Sequence, residues 1–328
     1  MKKYLLFFEM ILFIGCNTKS QPIDISFYFW KTSFNLSPKE EKLLNDLAVT
    51  KLYIRYFDVA LHEEIPKPVA PIVFNKSPTD YKIVPVVYIK NEVFLKPIAT
   101  DSLAQNIFNY INQINQTIAI KVDEIQFDCD WSLKSKSTYF KFIEDFKKLH
   151  PQLSTTIRLH QVKYPEKTGI PNVTSGTLMY YNMGTISADE SNSIYSQKVA
   201  NNYVHRLINY KLPLNIALPI FSWGVQVRDN QIVNLIGGMR LIDLEVKHFE
   251  KITEKRYKVV EDVVYQGRYL AKNDEIKLED VTRSQLKEMM NDIKNNSLQK
   301  PNEIIFYDLN ENNINAYEKK DFKNVSRW

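Results

Sequence analysis

The chain has 328 residues, of which 44% are hydrophobic and 25% are charged, and these proportions are ordinary for a globular protein. A mean hydropathy of −0.32 excludes a protein built mainly of membrane spans. The net charge of +5 comes from scattered Lys and Arg residues, which argues against nucleic-acid binding, and the length suits one α/β barrel or two smaller domains.

The N-terminus has the layout of a secretory signal. Two lysines precede an apolar stretch that is too short to cross a membrane, and Gly15-Cys16 follows it. A small residue before Cys at the end of such a stretch resembles a bacterial lipoprotein signal. The resemblance implies that residues 1–15 are removed, that the thiol of Cys16 is acylated, and that residues 16–24 form a tether. We therefore expect a lipid-anchored cell-envelope protein, and Asn17 favours the outer membrane of a Gram-negative cell; an ordinary export signal with an incidental cysteine is the alternative.

Eight short apolar runs alternate with helical patterns along the rest of the chain. The predicted strands are Ile25–Trp30, Lys51–Asp58, Lys82–Ile89, Val122–Asp130, Ser154–His160, Thr177–Asn182, Leu214–Ser222 and Glu303–Leu309. Two predicted helices start at Ser37 and Asp101. Three others span Lys136–Leu149, Ser193–Tyr210 and Thr282–Asn295. Glu63–Thr79 is rich in proline and predicts an irregular segment. The alternation predicts a (β/α)8 TIM barrel over residues 25–328.

One connection is too long for this pattern. About 60 residues separate the seventh strand from the helix at Thr282, which predicts an insertion at about 224–281. Within it we expect a hairpin at Trp223–Leu235, a helix at Gly237–Ile252 and a second hairpin around residues 271–274. An insertion after a barrel strand lies on the face that carries the active site in barrel enzymes, so it would wall a cleft.

The fourth predicted strand carries the strongest functional signal. Its sequence from Asp123 to Asp130 alternates polar and apolar residues, so Gln126, Asp128 and Asp130 share one face and Cys129 lies on the other. The carboxylates at positions 128 and 130 are then roughly 7 Å apart along the strand. Acids at the carboxyl end of a buried strand are typical of the active sites of α/β barrels. Cys129 is interpreted as a buried, unreactive thiol.

Other predicted strands also end in acids, aromatic residues and amides, whereas an inert barrel interior consists of Val, Ile and Leu. These residues are Trp30, Asp58, Arg158, His160, Tyr181, Asn182, Trp223, Tyr307 and Asp308. A sugar offers hydroxyls to carboxylates and amides, and CH faces to aromatic rings, so the pattern favours a glycan-binding mouth. Arg158 and His160 are interpreted as ion-pair partners of the two acids of the fourth strand, with a proton shuttle as the alternative.

The same residues resemble the family 18 glycoside hydrolases, which include chitinases and endo-β-N-acetylglucosaminidases. The D-x-x-D-x-D-x-E motif of the family's fourth strand is similar to Asp123–Asp130, with Gln126 in place of the second Asp and Asp130 at the position of the catalytic Glu. The M-x-Y-D of the sixth strand is similar to Met179–Asn182, with Asn for Asp. Tyr307 stands where the eighth strand usually has Trp.

The resemblance implies substrate-assisted hydrolysis of an N-acetylhexosamine-containing glycan. Asp130 would be the general acid, Asp128 would hold the acetamido N–H, and Tyr181 with Asn182 would bind the acetamido oxygen. The further substrate-binding residues would be Trp30, Asp58, Gln126, Arg158, His160, Trp223, Tyr307 and Asp308. Asp130 is one methylene shorter than Glu, and Gln126 removes a proton partner of Asp128. The protein is therefore either a glycosidase with adapted geometry or a barrel that binds glycan without cleaving it, and a purely structural barrel is the remaining alternative.

The sequence predicts no metal ion and no cofactor. No spacing of His, Cys and Glu is typical of a metal site, and the 8 glycines include no phosphate-binding loop. We expect a monomer whose partners are a glycan and, through the lipid anchor, a membrane.

Overall fold

The computed structural model describes residues 22–328. The predicted signal and residues 16–21 of the predicted tether, Cys16 included, lie outside the described residues. Eight parallel strands form a closed barrel, because the first strand pairs with both the second and the eighth. The predicted (β/α)8 TIM barrel is confirmed. Among the described residues, no helix is both long enough and apolar enough to span a bilayer.

Each barrel strand overlaps a predicted strand. The barrel strands are β1 Asp24–Phe29, β2 Lys51–His62, β3 Lys82–Ile89, β4 Ile125–Asp128, β5 Leu153–Arg158, β6 Ser175–Met179, β7 Leu214–Pro219 and β8 Glu303–Tyr307. Strands β4 to β8 end two or three residues earlier than predicted. The reason is that the backbone leaves the ladder at the barrel mouth, so Asp130, His160 and Asn182 lie in the segments that follow the strands.

Ser37, Ser196, Thr282 and Asn310 each cap the start of a helix with a side chain that accepts a backbone N–H. Helices lie between and after the strands. They are Pro38–Asp46, Thr100–Ile118, Lys136–Lys147, Leu159–Lys163, Pro165–Thr168, Gln197–Ala200, Arg283–Asn296, Glu311–Ile314 and Lys319–Val325, with 3-10 turns at Asn91–Phe94 and Val204–Asn209. Ser37 caps the first helix: its hydroxyl accepts the Glu40 N–H at 3.3 Å, and the Glu40 carboxylate accepts the Ser37 N–H at 2.8 Å.

Two segments differ from the sequence prediction. Instead of one helix over Ser193–Tyr210, the chain has a short helix at Gln197–Ala200 and a 3-10 turn at Val204–Asn209. Ser193 is not helical, and its N–H and hydroxyl donate hydrogen bonds to Glu279. The proline-rich segment Glu63–Thr79 is partly regular, since Ile65–Val69 pairs antiparallel with β2. This strand lies at the edge of the sheet, where proline is tolerated because an outward N–H needs no partner.

The outer face of the barrel is apolar and packs on the helices. Phe127 of β4 contacts Phe142 and Phe146 of the helix Lys136–Lys147, with ring centroids 5.0 and 4.7 Å apart. The inner face of the barrel carries polar residues already at the amino ends of the strands. Glu303 at the start of β8 accepts hydrogen bonds from the Tyr53 hydroxyl at 2.7 Å, from Lys51 at 3.1 Å and from Ser26. This polar interior differs from the layers of Val, Ile and Leu that fill most barrels of this kind.

The chain between β7 and the helix Arg283–Asn296 forms a five-stranded antiparallel sheet, here called the second sheet. Its strands are Trp223–Arg228, Gln231–Gly237, Phe249–Lys251, Arg256–Val259 and Glu275–Glu279. The first hairpin turns at Asp229-Asn230, in line with the hairpin expected there. That the stretch is an insertion into a simpler barrel stays a prediction.

The rest of this stretch differs from expectation. The predicted helix Gly237–Ile252 is reduced to Leu241–Leu244. The predicted hairpin around 271–274 is wrong, because Val263–Tyr265 pairs with Arg268–Leu270 instead. Their two-residue turn is Gln266-Gly267, with φ of 47° and 73°, and such a left-handed pair matches the twist of a tight hairpin.

Candidate functional site

Asp128 lies at the end of β4, inside the barrel mouth, where the carboxyl ends of all eight parallel strands meet. Its side chain is almost fully buried, and the Thr156 hydroxyl on β5 donates a hydrogen bond to its Oδ1 at 2.6 Å. Burial raises the pKa of Asp128 to about 7; the Thr156 hydrogen bond and Arg158 oppose this rise, and the carboxylates of Asp130 and Asp58 add to it. A carboxyl group with this pKa exchanges its proton near neutral pH.

Asp130 lies two residues beyond the end of β4 and is 40% exposed. Its Oδ2 accepts a hydrogen bond from Nη1 of Arg158 in an ion pair, so the ion pair expected for this arginine is present. His160 belongs to the short helix Leu159–Lys163 rather than to β5. Desolvation and the charge of Arg158 lower the pKa of His160, which favours a neutral imidazole beside the ion pair.

A second ion pair borders the mouth at β2. The Arg55 guanidinium contacts the Asp58 carboxylate through two N–O distances of 2.7 Å each. In a regular strand, residues three apart point to opposite faces. A β-bulge between Arg55 and Phe57 shifts the register, and both side chains therefore reach the same side. Sequence alternation missed Arg55 for this reason, and no local pattern signals the bulge.

Aromatic rings cover the mouth between β1, β6, β7 and β8. Tyr307 stacks on Tyr181 with centroids 5.4 Å apart and meets Trp30 edge-on, also at 5.4 Å. Phe221 contacts Tyr307 at 5.7 Å and Trp223 at 5.0 Å. We call these five rings the aromatic row. The four aromatic residues singled out in the sequence thus converge, and Phe221 joins them because the residues after β7 turn across the mouth.

Gln126 lies below the mouth and is fully buried. Its Oε1 accepts the Tyr28 hydroxyl at 2.6 Å, and its Nε2 donates to Ser154 at 3.2 Å and to Thr177 at 3.1 Å. The amide is therefore satisfied by the barrel itself, and the structure places Gln126 beneath Asp128 as part of the floor.

Two other candidates, Asn182 and Asp308, follow the ends of β6 and β8. Asn182 is exposed and adopts a left-handed backbone conformation with φ of 53°. The Asp308 carboxylate accepts a hydrogen bond from Nδ2 of Asn313, in the helix that follows β8. Burial raises the pKa of Asp308 to about 6, with the charge of Lys31 opposing this rise. The structure thus brings together Trp30, Asp58, Asp128, Asp130, Arg158, Tyr181, Trp223 and Tyr307 around the mouth, and leaves Asn182 and Asp308 at its edge.

Within residues 22–328, no group of three or more His, Cys, Asp or Glu side chains is arranged to hold a metal ion. Cavities of about 600 and 670 Å³ lie away from Asp128, one beside Arg240 and Tyr317 and the other beside Phe108 and His150. We place the site at the mouth because the buried carboxyl, the two ion pairs and the aromatic row meet there.

The barrel superposes on solved structures of cortex-lytic, chitinase-like and chitinase proteins. The spore cortex-lytic enzyme SleL of Bacillus megaterium QM B1551 superposes with a TM-score of 0.57 and 12% identity, over 92% of this chain and 73% of that chain. The chitinase-like agglutinin of Robinia pseudoacacia gives a TM-score of 0.53 and 12% identity, over 92% and 98% of the two chains. The chitinase of Rhizomucor miehei gives 0.52 and 9%, over 92% and 99%.

No protein-family model matches the chain, and no curated protein matches it in sequence. At such low identity the structural likeness shows the fold. The expected resemblance to the chitinase-like TIM barrels is confirmed at that level.

Proposed function

We propose that this protein binds an N-acetylhexosamine-containing glycan at the barrel mouth without cleaving it. The observation that carries the proposal is the ion pair between Asp130 and Arg158, at the position where the resemblance places the proton donor. Oδ2 of Asp130 is engaged by the guanidinium of Arg158, so it faces a cation instead of a glycosidic oxygen. Asp130 is also one methylene shorter than Glu, and a misplacement of about 1 Å can cost roughly a hundredfold in rate.

The mouth offers the contacts that such a glycan needs. Three rings of the aromatic row, those of Trp30, Trp223 and Tyr307, are partly exposed and can contact the CH groups of a sugar. Asp128, when ionised, accepts the acetamido N–H. The fold supports a binding role as well as a catalytic one, since it occurs both in a protein named as an agglutinin and in one named as a chitinase.

Hydrolysis is the second candidate function, and the pKa of Asp128 favours it. Burial raises this pKa to about 7, so a large fraction of the molecules carries a proton on Asp128 at neutral pH. A general acid works best when its pKa lies near the working pH. In this case Asp128 would donate the proton in place of Asp130. Release of reducing ends by the wild-type protein, lost in Asp128→Asn, would establish this function.

Titration with a panel of N-acetylated oligosaccharides, read by calorimetry and by a reducing-end assay, tests the proposal. We expect the wild-type protein to bind at least one of them and to release no reducing ends. Trp30→Ala should weaken the binding by about fivefold or more, because truncating an aromatic ring that contacts a ligand typically costs about 1 kcal/mol or more.

Tyr269→Ala is the matched control, because Tyr269 is an aromatic residue 55% exposed on the hairpin Val263–Leu270, outside the aromatic row. It should bind like the wild type. Failure of the wild-type protein to bind any member of the panel would make the proposed function wrong.

We also propose that an acylated Cys16 anchors the protein in the outer membrane. Cys16→Ser should move the protein from the membrane fraction to the soluble fraction, because stable anchoring needs the acyl chains that the thiol carries. Immunoblots of fractionated cells measure this. Cys129→Ser is the control, since Cys129 is buried in the barrel and should not affect fractionation. Unchanged fractionation of Cys16→Ser contradicts the anchor.

A further inference from the structure

The segment 184–193 that follows β6, here called the β6 loop, lies against the second sheet. The loop is closed on itself by a hydrogen bond from Gly184 N–H to the Ser193 carbonyl at 3.0 Å. The facing strand, Glu275–Glu279, alternates in character. Its apolar residues pack in the core of the second sheet, and Lys277 and Glu279 point to the opposite face, toward the loop.

Lys277 holds the middle of the β6 loop. Its ammonium group is 2% exposed and donates hydrogen bonds to the carbonyls of Ser187 at 2.6 Å and Ser191 at 2.9 Å. It also forms an ion pair with Oε1 of Glu279 at 2.7 Å. The buried positive charge is therefore fully partnered.

Glu279 holds both the end of the loop and a ring of the aromatic row. Its Oε2 accepts hydrogen bonds from the Ser193 N–H at 3.0 Å, from the Ser193 hydroxyl and from Nε1 of Trp223 at 2.9 Å. Trp223 stands directly opposite Glu279 in the antiparallel pair of strands. One carboxylate, 1% exposed, thus connects the second sheet, the β6 loop and the indole.

A buried ion pair gives little net stability, because the cost of removing both charges from water offsets their attraction. What this pair supplies is a fixed geometry. We propose that Glu279 is a positioning residue of the glycan site: it holds the indole of Trp223 against Phe221 at the end of the aromatic row. Lys277 holds Glu279 in place through their ion pair. The effect of Glu279 on glycan binding rests on the proposed function. The orientation of the indole is tested without any glycan.

The test without glycan is iodide quenching of tryptophan fluorescence in the full chain. Glu279→Gln should increase the quenching, because a neutral amide holds the indole N–H less firmly. The same substitution should cause no increase in a Trp223→Phe background. Glu275→Gln, on the same face of the same strand, pairs with Arg256 and is the matched control with unchanged quenching. Equal quenching in the wild type and Glu279→Gln overturns the inference.

Because Glu279→Gln leaves Lys277 buried without its ion-pair partner, the double variant Lys277→Gln/Glu279→Gln is measured beside it, since it removes both charges together. If Glu279→Gln alone does not fold, the double variant must show the increased quenching. Its failure to do so, in a folded protein, also overturns the inference.

The test with glycan is a double-mutant cycle. Glu279→Gln should weaken glycan binding by about tenfold in the wild-type background and cause no further loss in the Trp223→Phe background, because the two residues act as a unit. An equal loss in both backgrounds means that Glu279 acts through the loop or through stability, which contradicts the assignment. Absence of binding by the wild type contradicts the proposed function, and the quenching result still decides the role of Glu279.

Discussion

The wild-type protein should lose stability as the pH rises from about 4 to about 7, and Asp128→Asn should lose much less over the same range. Burial raises the pKa of Asp128 from 3.8 to about 7 in the folded state, so the folded protein binds this proton more tightly than the unfolded chain. The stabilising contribution is fully present below about pH 4 and is lost as the pH rises through about 7. A difference of about three units corresponds to roughly 4 kcal/mol of unfolding free energy.

Urea unfolding of both proteins at several pH values between 4 and 8 measures this effect. Part of the slope below about pH 6 should remain in the variant, because burial also raises the pKa of Asp308 to about 6. Asp123→Asn, which removes an exposed carboxylate next to β4, is the control and should keep the wild-type slope. A wild-type slope in Asp128→Asn would show that Asp128 does not hold a proton in the folded protein.

The ionisation of Asp128 also separates the two candidate functions, when glycan affinity and turnover are measured against pH. In the binding protein, the ionised form of Asp128 accepts the acetamido N–H, so glycan affinity should rise as the pH passes through about 7. In a hydrolase that uses Asp128 as general acid, turnover should fall over the same range.

Glu303→Ala should lower the free energy of unfolding by about 3 kcal/mol or more. Glu303 is 4% exposed at the amino end of β8 and accepts hydrogen bonds from Tyr53, Lys51 and Ser26. Removing the carboxylate leaves the fully buried Tyr53 hydroxyl without its acceptor inside the barrel. The midpoint of urea unfolding, at an unchanged m-value, measures the loss.

Two variants calibrate this result. Glu303→Gln keeps an acceptor in the same place and should cost about 1 kcal/mol. Glu318→Ala removes an ion-paired carboxylate that is 50% exposed at the surface and should change stability by less than about 0.5 kcal/mol. If Glu303→Ala lowers the free energy of unfolding as little as Glu318→Ala does, the hydrogen bonds of Glu303 inside the barrel do not stabilise the fold.

The sequence by itself determined the barrel, because its signals are local. Period two in the strands, helical periodicity and caps such as Ser37 depend on residues a few positions apart, and these signals placed all eight strands. The polar face of β4 also follows from alternation, so Gln126 and Asp128 were correctly assigned to one face, which forms the barrel interior. The predicted ends of β4 to β8 lay two or three residues too far along the chain, because the backbone leaves a ladder where its neighbours end.

The tertiary structure alone decided how the candidate site is assembled. The Arg55–Asp58 pair needs a β-bulge, and Glu279 reaches Ser193 across 86 positions. The sequence predicted an ion pair between Arg158 and the acids of β4, and the structure decided that Asp130 is the partner. The pairs within the barrel depend on strand register, and the Glu279–Ser193 contact depends on the packing of the second sheet against the β6 loop. Register and packing follow from the burial of the whole chain, and no short window of sequence contains that information.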